Sequence, residues 1–114
     1  MHELAICQGL IRQVEHVAAE NQAAAVTRVL LRVGKLSGVE PPLLERAFEI
    51  ARAGTVASEA ELEIEEGAVL VKCRECGAGG EVPINRLVCP SCGDWRVRVT
   101  EGEELLLLSL ELEM

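Results

Sequence analysis

Two copies of a C-x-x-C pair constrain this chain more than anything else in it. They read Cys73-Arg74-Glu75-Cys76 and Cys89-Pro90-Ser91-Cys92, with residues 77–88 between them. A tight turn inside each pair aims two sulfurs the same way, so two pairs can close a tetrahedron around one ion. Gly77 and Gly93 follow the pairs directly. Glycine takes positive φ without a Cβ clash, which frees backbone N–H groups to point at the thiolates. This is the pattern of a double knuckle, the centre of a zinc ribbon. A redox dithiol normally occurs once, opening a helix in a βαβ setting, and a structural disulfide belongs to an oxidising compartment. Neither explains two pairs that each end in glycine. Cys73, Cys76, Cys89 and Cys92 are therefore expected to hold structural Zn(II), with four protein ligands and no open position for substrate. Such a cage contributes about 10–16 kcal/mol of apparent binding free energy, which is also folding free energy.

The ribbon is too short to bury a core of its own, so the rest of the 114 residues must supply the apolar body. Phe48 and Trp95 are the only aromatic residues, which leaves Leu, Val, Ile and Ala to do the packing. Net charge is −8 and unevenly spread. Residues 70–100 carry five bases against three acids, so the remainder carries an excess of ten acids. Four thiolates on one zinc bring the ribbon close to neutral. No strong basic surface is expected, which counts against nucleic acid as a partner. The start, Met1-His2-Glu3-Leu4, has no basic leader, and no apolar run reaches membrane-spanning length. A cytoplasmic protein with no membrane contact is the expectation.

Periodicity then places the elements. Leu4, Cys7, Ile11, Val14 and Ala18 recur at helical spacing over residues 3–20, with Cys7 on the buried stripe and His16 on the far side. From Val26 the period shortens to two, with Val29, Leu31 and Val33 alternating against Arg28, Leu30 and Arg32 as far as Gly34. Pro42 is expected to open a second helix whose apolar face is Leu44, Ala47, Phe48 and Ala51, with Gly54 ending it in the left-handed region. Residues 60–66 alternate Leu62 and Ile64 inward with Glu61, Glu63 and Glu65 outward. After the ribbon, Leu106, Leu108, Leu110 and Leu112 share one face of a final strand. A strand–helix–strand unit should cross over right-handed, with parallel strands. The expected fold is α+β: a small mixed three-stranded sheet with two helices, and an inserted zinc-ribbon module. Residues 1–69 and 101–114 would form the α/β domain, and residues 70–100 the zinc domain.

Catalytic constellations are absent from this pattern. Neither histidine joins a Ser/His/Asp or Cys/His arrangement, and there is no phosphate loop and no H-E-x-x-H motif. The beginning of the chain is different. The Met1 amine, the His2 backbone nitrogen and the His2 imidazole can form one compact chelate. Such a planar, nitrogen-rich set suits Ni(II) or Cu(II). Glu3 can add its backbone nitrogen or its carboxylate.

Met1-His2-Glu3-Leu4, the Ser37-Gly38-Val39-Glu40-Pro41 loop, Ala47-Phe48-Glu49 with Gly54-Thr55, the Ala60-Glu61-Leu62-Glu63-Ile64 strand, the paired cysteines and Gly102-Glu103-Glu104-Leu105 occur in this order. Together they resemble the HypA/HybF family of nickel metallochaperones, over essentially the whole chain. The resemblance implies a carrier and not an enzyme. It implies nickel as cargo at His2 with Glu3 beside it, and zinc held by Cys73, Cys76, Cys89 and Cys92. The family's acidic loop residue corresponds to Glu40, where many relatives carry the shorter Asp. The implied work is delivery of nickel to the [NiFe] hydrogenase large subunit, with a nickel-handling HypB-like GTPase as partner. Urease maturation factors are served in some organisms. A homodimer, with nickel shared or the final strand exchanged, is compatible with the same pattern.

Overall fold

The computed structural model describes residues 2–114. Helix α1 (Glu3–Glu20) and helix α2 (Pro41–Ala51) alternate with strands β1 (Ala25–Gly34) and β2 (Glu61–Gly67). Strands β3 (Val69–Cys73), β4 (Gly79–Val82) and β5 (Val97–Glu101) follow, and β6 (Leu105–Glu113) closes the chain. Two three-stranded sheets result, in the orders β2-β1-β6 and β4-β3-β5. The α+β architecture with its ribbon-like module is as expected. No helix among the described residues is long and apolar enough to cross a membrane.

The chain divides into two compact units. One comprises Met1–Leu31, Val39–Glu65 and Leu106–Met114; the other comprises Arg32–Gly38 and Glu66–Leu105. In the first unit, Cys7, Leu10, Ile11, Val14 and Ala18 of α1 are buried, as are Leu44, Ala47 and Phe48 of α2 and Val26, Val29 and Leu31 of β1. These are the residues the two periodicities select, because only one stripe of each helix and one face of the strand can turn away from water. Arg28 lies across the sheet. It is ion-paired to Glu63 on β2 and reaches Glu111 on β6 at 3.5 Å. The glutamate row of β2 is thus partly engaged with the neighbouring strand.

Strand directions follow from the bonds between neighbouring strands. Ala24 N–H donates to Glu113 O and Gly34 N–H to Glu104 O, so β6 runs antiparallel to β1. The Arg28–Glu63 pair and the Lys35 N–H bond to Gly67 O advance together along both strands, which is the parallel sense. The sheet is therefore mixed, as a strand–helix–strand crossover followed by a returning strand requires.

Four details depart from the sequence expectation. Helix α2 begins at Pro41, one residue before Pro42, with Glu40 at its N-cap. It stops at Ala51 with Arg52 as C-cap, so Gly54, at φ 74°, belongs to the following turn. On β6, Leu106 and Leu108 are exposed while Leu110 and Leu112 are half-buried. Leu4 of the α1 stripe is also exposed. Strand β6 is an edge strand, flanked on one side only. In the first half of β6 it is Leu107, on the opposite face, that is half-buried, so the expected inward face holds only from Leu110 on.

In the second unit Val69, Val71 and Val82 form a small buried core, with Leu36, Val97 and Val99 packed against it. Residues 32–38 belong here because Lys35 N–H bonds Gly67 O and Leu36 N–H bonds Gly102 O. Gly34 ends β1 against the Gly102 peptide. A Cβ at position 34 would fall on the Gly102 carbonyl and the Glu103 nitrogen, so the close approach needs glycine.

Candidate metal centres

Strand β3 delivers Cys73 to the end of the ribbon sheet, and the two turns supply the rest. Cys73, Cys76, Cys89 and Cys92 come together with all four sulfurs within 4.8 Å of one another. Cys73 lies 3.7 Å from Cys92 and Cys76 lies 3.5 Å from Cys89. A disulfide needs about 2.05 Å, so these are four separate thiols. A zinc tetrahedron with about 2.3 Å bonds has edges of about 3.8 Å, which these separations match.

The two turns are near copies of each other. Gly77 N–H bonds Cys73 O and Gly93 N–H bonds Cys89 O, with φ of 76° and 77° at the two glycines. The first sulfur of each pair accepts two backbone N–H groups. Glu75 and Cys76 donate to Cys73, and Ser91 and Cys92 donate to Cys89, all at 3.3–3.4 Å. The second sulfur of each pair accepts one more, from Ala78 at Cys76 and from Asp94 at Cys92. Oriented N–H groups of this kind fix the ligands and offset thiolate charge. The Cys92 and Ser91 N–H groups draw the Cys89 thiol down to about 6. Cys92 responds in the opposite direction. The Asp94 N–H lowers its pKa, but desolvation and the other three sulfurs push it up to about 12. Four sulfurs this close cannot all ionise without a cation among them, and a divalent ion supplies that charge.

Arg96 braces both turns. It grips Asp94 through Nε and Nη2 at 3.0 and 2.8 Å and reaches Glu75 at 2.8 Å. Its side chain and backbone N–H hold the Asp94 carboxyl down to about 2. Nothing in the cysteine spacing announces this brace.

A second group of sequence-selected residues meets at the start of α1. The Met1 amine of the expected chelate lies outside the described residues. His2 occupies the α1 N-cap, exposed, and its side chain makes no capping bond. Glu3 is only 4% exposed. Its carboxylate accepts hydrogen bonds from the backbone N–H groups of Glu3 and Glu40. Glu40 is the exposed N-cap of α2, also without a side-chain cap. The starts of both helices are thereby joined through Glu3, and His2 and Glu40 flank the joint. Burial of Glu3 and its bond to the loop had no signal in the sequence, where a glutamate beside a chain terminus reads as solvated. Cys7 is fully buried one turn on and donates to Leu44 O at 3.5 Å. His16 is exposed beside Glu20, away from both centres.

Comparison with known proteins gives one consistent result. A family described as "Hydrogenase/urease nickel incorporation, metallochaperone, hypA" matches residues 1–112. A hydrogenase maturation factor HypA from Nitrosospira multiformis is 51% identical over 112 residues, covering 98% of this chain and 97% of that protein. The factor of the same name from Aquifex aeolicus is 44% identical, covering 100% and 99%. Among solved structures, the Ni metallochaperone HypA from Helicobacter pylori superposes with a TM-score of 0.74 at 33% identity, covering 99% of this chain and 98% of that one.

Proposed function

The chain belongs to the HypA family of hydrogenase nickel-maturation metallochaperones, and from that premise we propose how it carries its cargo. Ni(II) binds at the extreme start of the chain, through the terminal amine, the His2 amide nitrogen and the His2 imidazole. Zn(II) stays in the thiolate cage. Donor type divides the two metals: four soft thiolates retain zinc, and nitrogen donors in a plane take nickel. The α/β unit is the nickel domain and the cysteine-bearing unit the zinc domain.

The observation that carries this reading is the Glu3 carboxylate, buried at the joint between two helix starts and bonded to the Glu40 N–H. A helix N-terminus repels cations by its dipole. A fixed carboxylate there cancels that repulsion, and exposed Glu40 adds a second negative charge nearby. The same carboxylate also accepts a separate bond from the Glu3 N–H. Any use of the Glu3 nitrogen by nickel must break that bond first. The result is a site strong enough to load and weak enough to release, which a carrier needs and a closed cage cannot offer. Handover to a HypB-like GTPase and then to the [NiFe] hydrogenase large subunit is the destination that family membership supports.

Nickel titration of the zinc-loaded chain beside His2→Ala tests the proposal. His2→Ala should lose at least about tenfold in nickel affinity, because one of a few donors is gone, while zinc remains at one per chain. Unchanged nickel affinity in His2→Ala refutes the assignment.

A further inference from the structure

Strands β3 and β5 are antiparallel neighbours with Lys72 directly opposite Arg98. Val69, Val71 and Cys73 of β3 are buried, so alternation turns Lys72 outward, with Arg74 in phase beyond the strand end. Arg98 turns outward on β5 for the same reason, with Arg96 in phase. All four bases are exposed. Arg96 is taken up by Glu75 and Asp94, whereas no ion pair among the described residues engages Lys72, Arg74 or Arg98. The basic strip ends one step along, where Glu81 and Glu101 stand opposite Leu70.

Two like charges directly opposite on adjacent strands destabilise a sheet. Trp95 adjoins this strip, 75% exposed, with the Arg96 guanidinium 5.9 Å from its ring. It is the only tryptophan in a chain of net charge −8. Exposed Trp and Arg together are the residue types that carry most interface energy. A structural cost combined with such a surface indicates a ligand that brings the missing negative charge.

We propose that this face of the ribbon docks an extended acidic segment of a partner protein, with its carboxylates over Lys72 and Arg98 and an apolar side chain against Trp95. Carboxylates two residues apart on an extended strand stand about 7 Å apart, within reach of both bases. A nucleic acid backbone needs a longer basic track, and this one is closed at the end by Glu81 and Glu101. The proposal does not depend on where nickel binds.

Trp95 fluorescence of the zinc-loaded full chain reads the face directly. The probe is the capped peptide Glu-Ser-Glu-Leu-Glu-Ser-Glu, with its lysine-for-glutamate counterpart as control. The acidic peptide should shift the emission saturably at low salt and the basic one should not. Raising salt from about 20 to about 300 mM should weaken binding severalfold by screening. Lys72→Glu replaces the repulsion with a Glu–Arg cross-strand pair, so it should lose zinc to a chelator more slowly while binding the peptide about tenfold more weakly. Arg98→Gln, which lies away from the cysteine turns, should weaken the peptide similarly. Arg12→Glu on α1 should change nothing. A flat titration, equal response to both peptides, or wild-type affinity in Arg98→Gln overturns the proposal. Tighter binding of single-stranded oligo-dT than of the peptide makes the face a nucleic-acid site and also overturns it. Low-salt self-association of the chain that Lys72→Glu abolishes assigns the face to a second copy, with the same consequence.

Discussion

His2 and Glu3 are adjacent in sequence and opposite in environment. His2 is exposed and its side chain makes no capping bond, whereas Glu3 is buried and bonded to backbone. Their substitutions should therefore separate. Glu3→Gln keeps an acceptor for the Glu40 N–H but removes the charge that offsets the helix dipole, so it should weaken nickel less than His2→Ala does, with zinc content unchanged. Parallel nickel titrations check the order. Cys7 gives a second test at this scale. Burial first, and the nearby Glu3 charge second, push its thiol up to about 11. A raised folded-state value means that the stability gained by burying the neutral thiol is complete below about pH 9. It is lost as pH rises through about 11. The stability difference between the native chain and Cys7→Ala in urea should be constant from pH 6 to 8 and shrink above 9. The burial of Cys7 was legible from helical spacing alone. The burial of Glu3 was not, because it depends on a loop 37 residues away folding over the start of α1.

At the scale of elements, the sequence revealed whatever a period or a punctuating residue encodes. The α1 stripe from Cys7 onward, the β1 alternation and the two glycine-closed turns appear where spacing puts them. Two features escaped because they depend on long-range neighbours. On β6 leucines occupy both faces from 105 to 108, so alternation alone could not report that Leu107 and not Leu106 or Leu108 is the covered one. The meeting of Gly34 with Gly102 joins positions that each look like ordinary strand ends. Gly34→Ala should therefore cost about 1–3 kcal/mol, since the Cβ meets backbone that cannot rotate away. Thermal unfolding measures it. Phe48→Ala, in the core of the first unit, should cost about 3–5 kcal/mol. Cys73→Ser should act differently from both. It removes one of four ligands, so zinc should be lost and the β4-β3-β5 sheet unfold first. The residues of α1, α2 and β1 should keep their amide protection in hydrogen exchange.

For the molecule as a whole, the chain's charge, its two units and its two donor sets make one argument. In the proposed division of labour, the closed cysteine cage shapes the ribbon and keeps its ion, while the open start of α1 loads and releases the cargo. Acidification should release zinc as thiolates take up protons, so the ribbon sheet should melt in acid before the helical unit does. Family, fold and the four-cysteine cluster were legible because they rest on covalent spacing and ordered motifs. The start of the chain offered a chelate suited to Ni(II) or Cu(II), and only the resemblance singled out nickel as cargo, since a histidine at position 2 has no periodic partner. The most direct measurement is a nickel titration of the native-start chain against one carrying a single extra residue before Met1, with zinc counted in both. The extension leaves every side chain in place but moves the amine away from His2. Tight nickel binding should disappear while zinc stays at one per chain; nickel bound equally well by the extended chain would contradict a site built on the terminal amine.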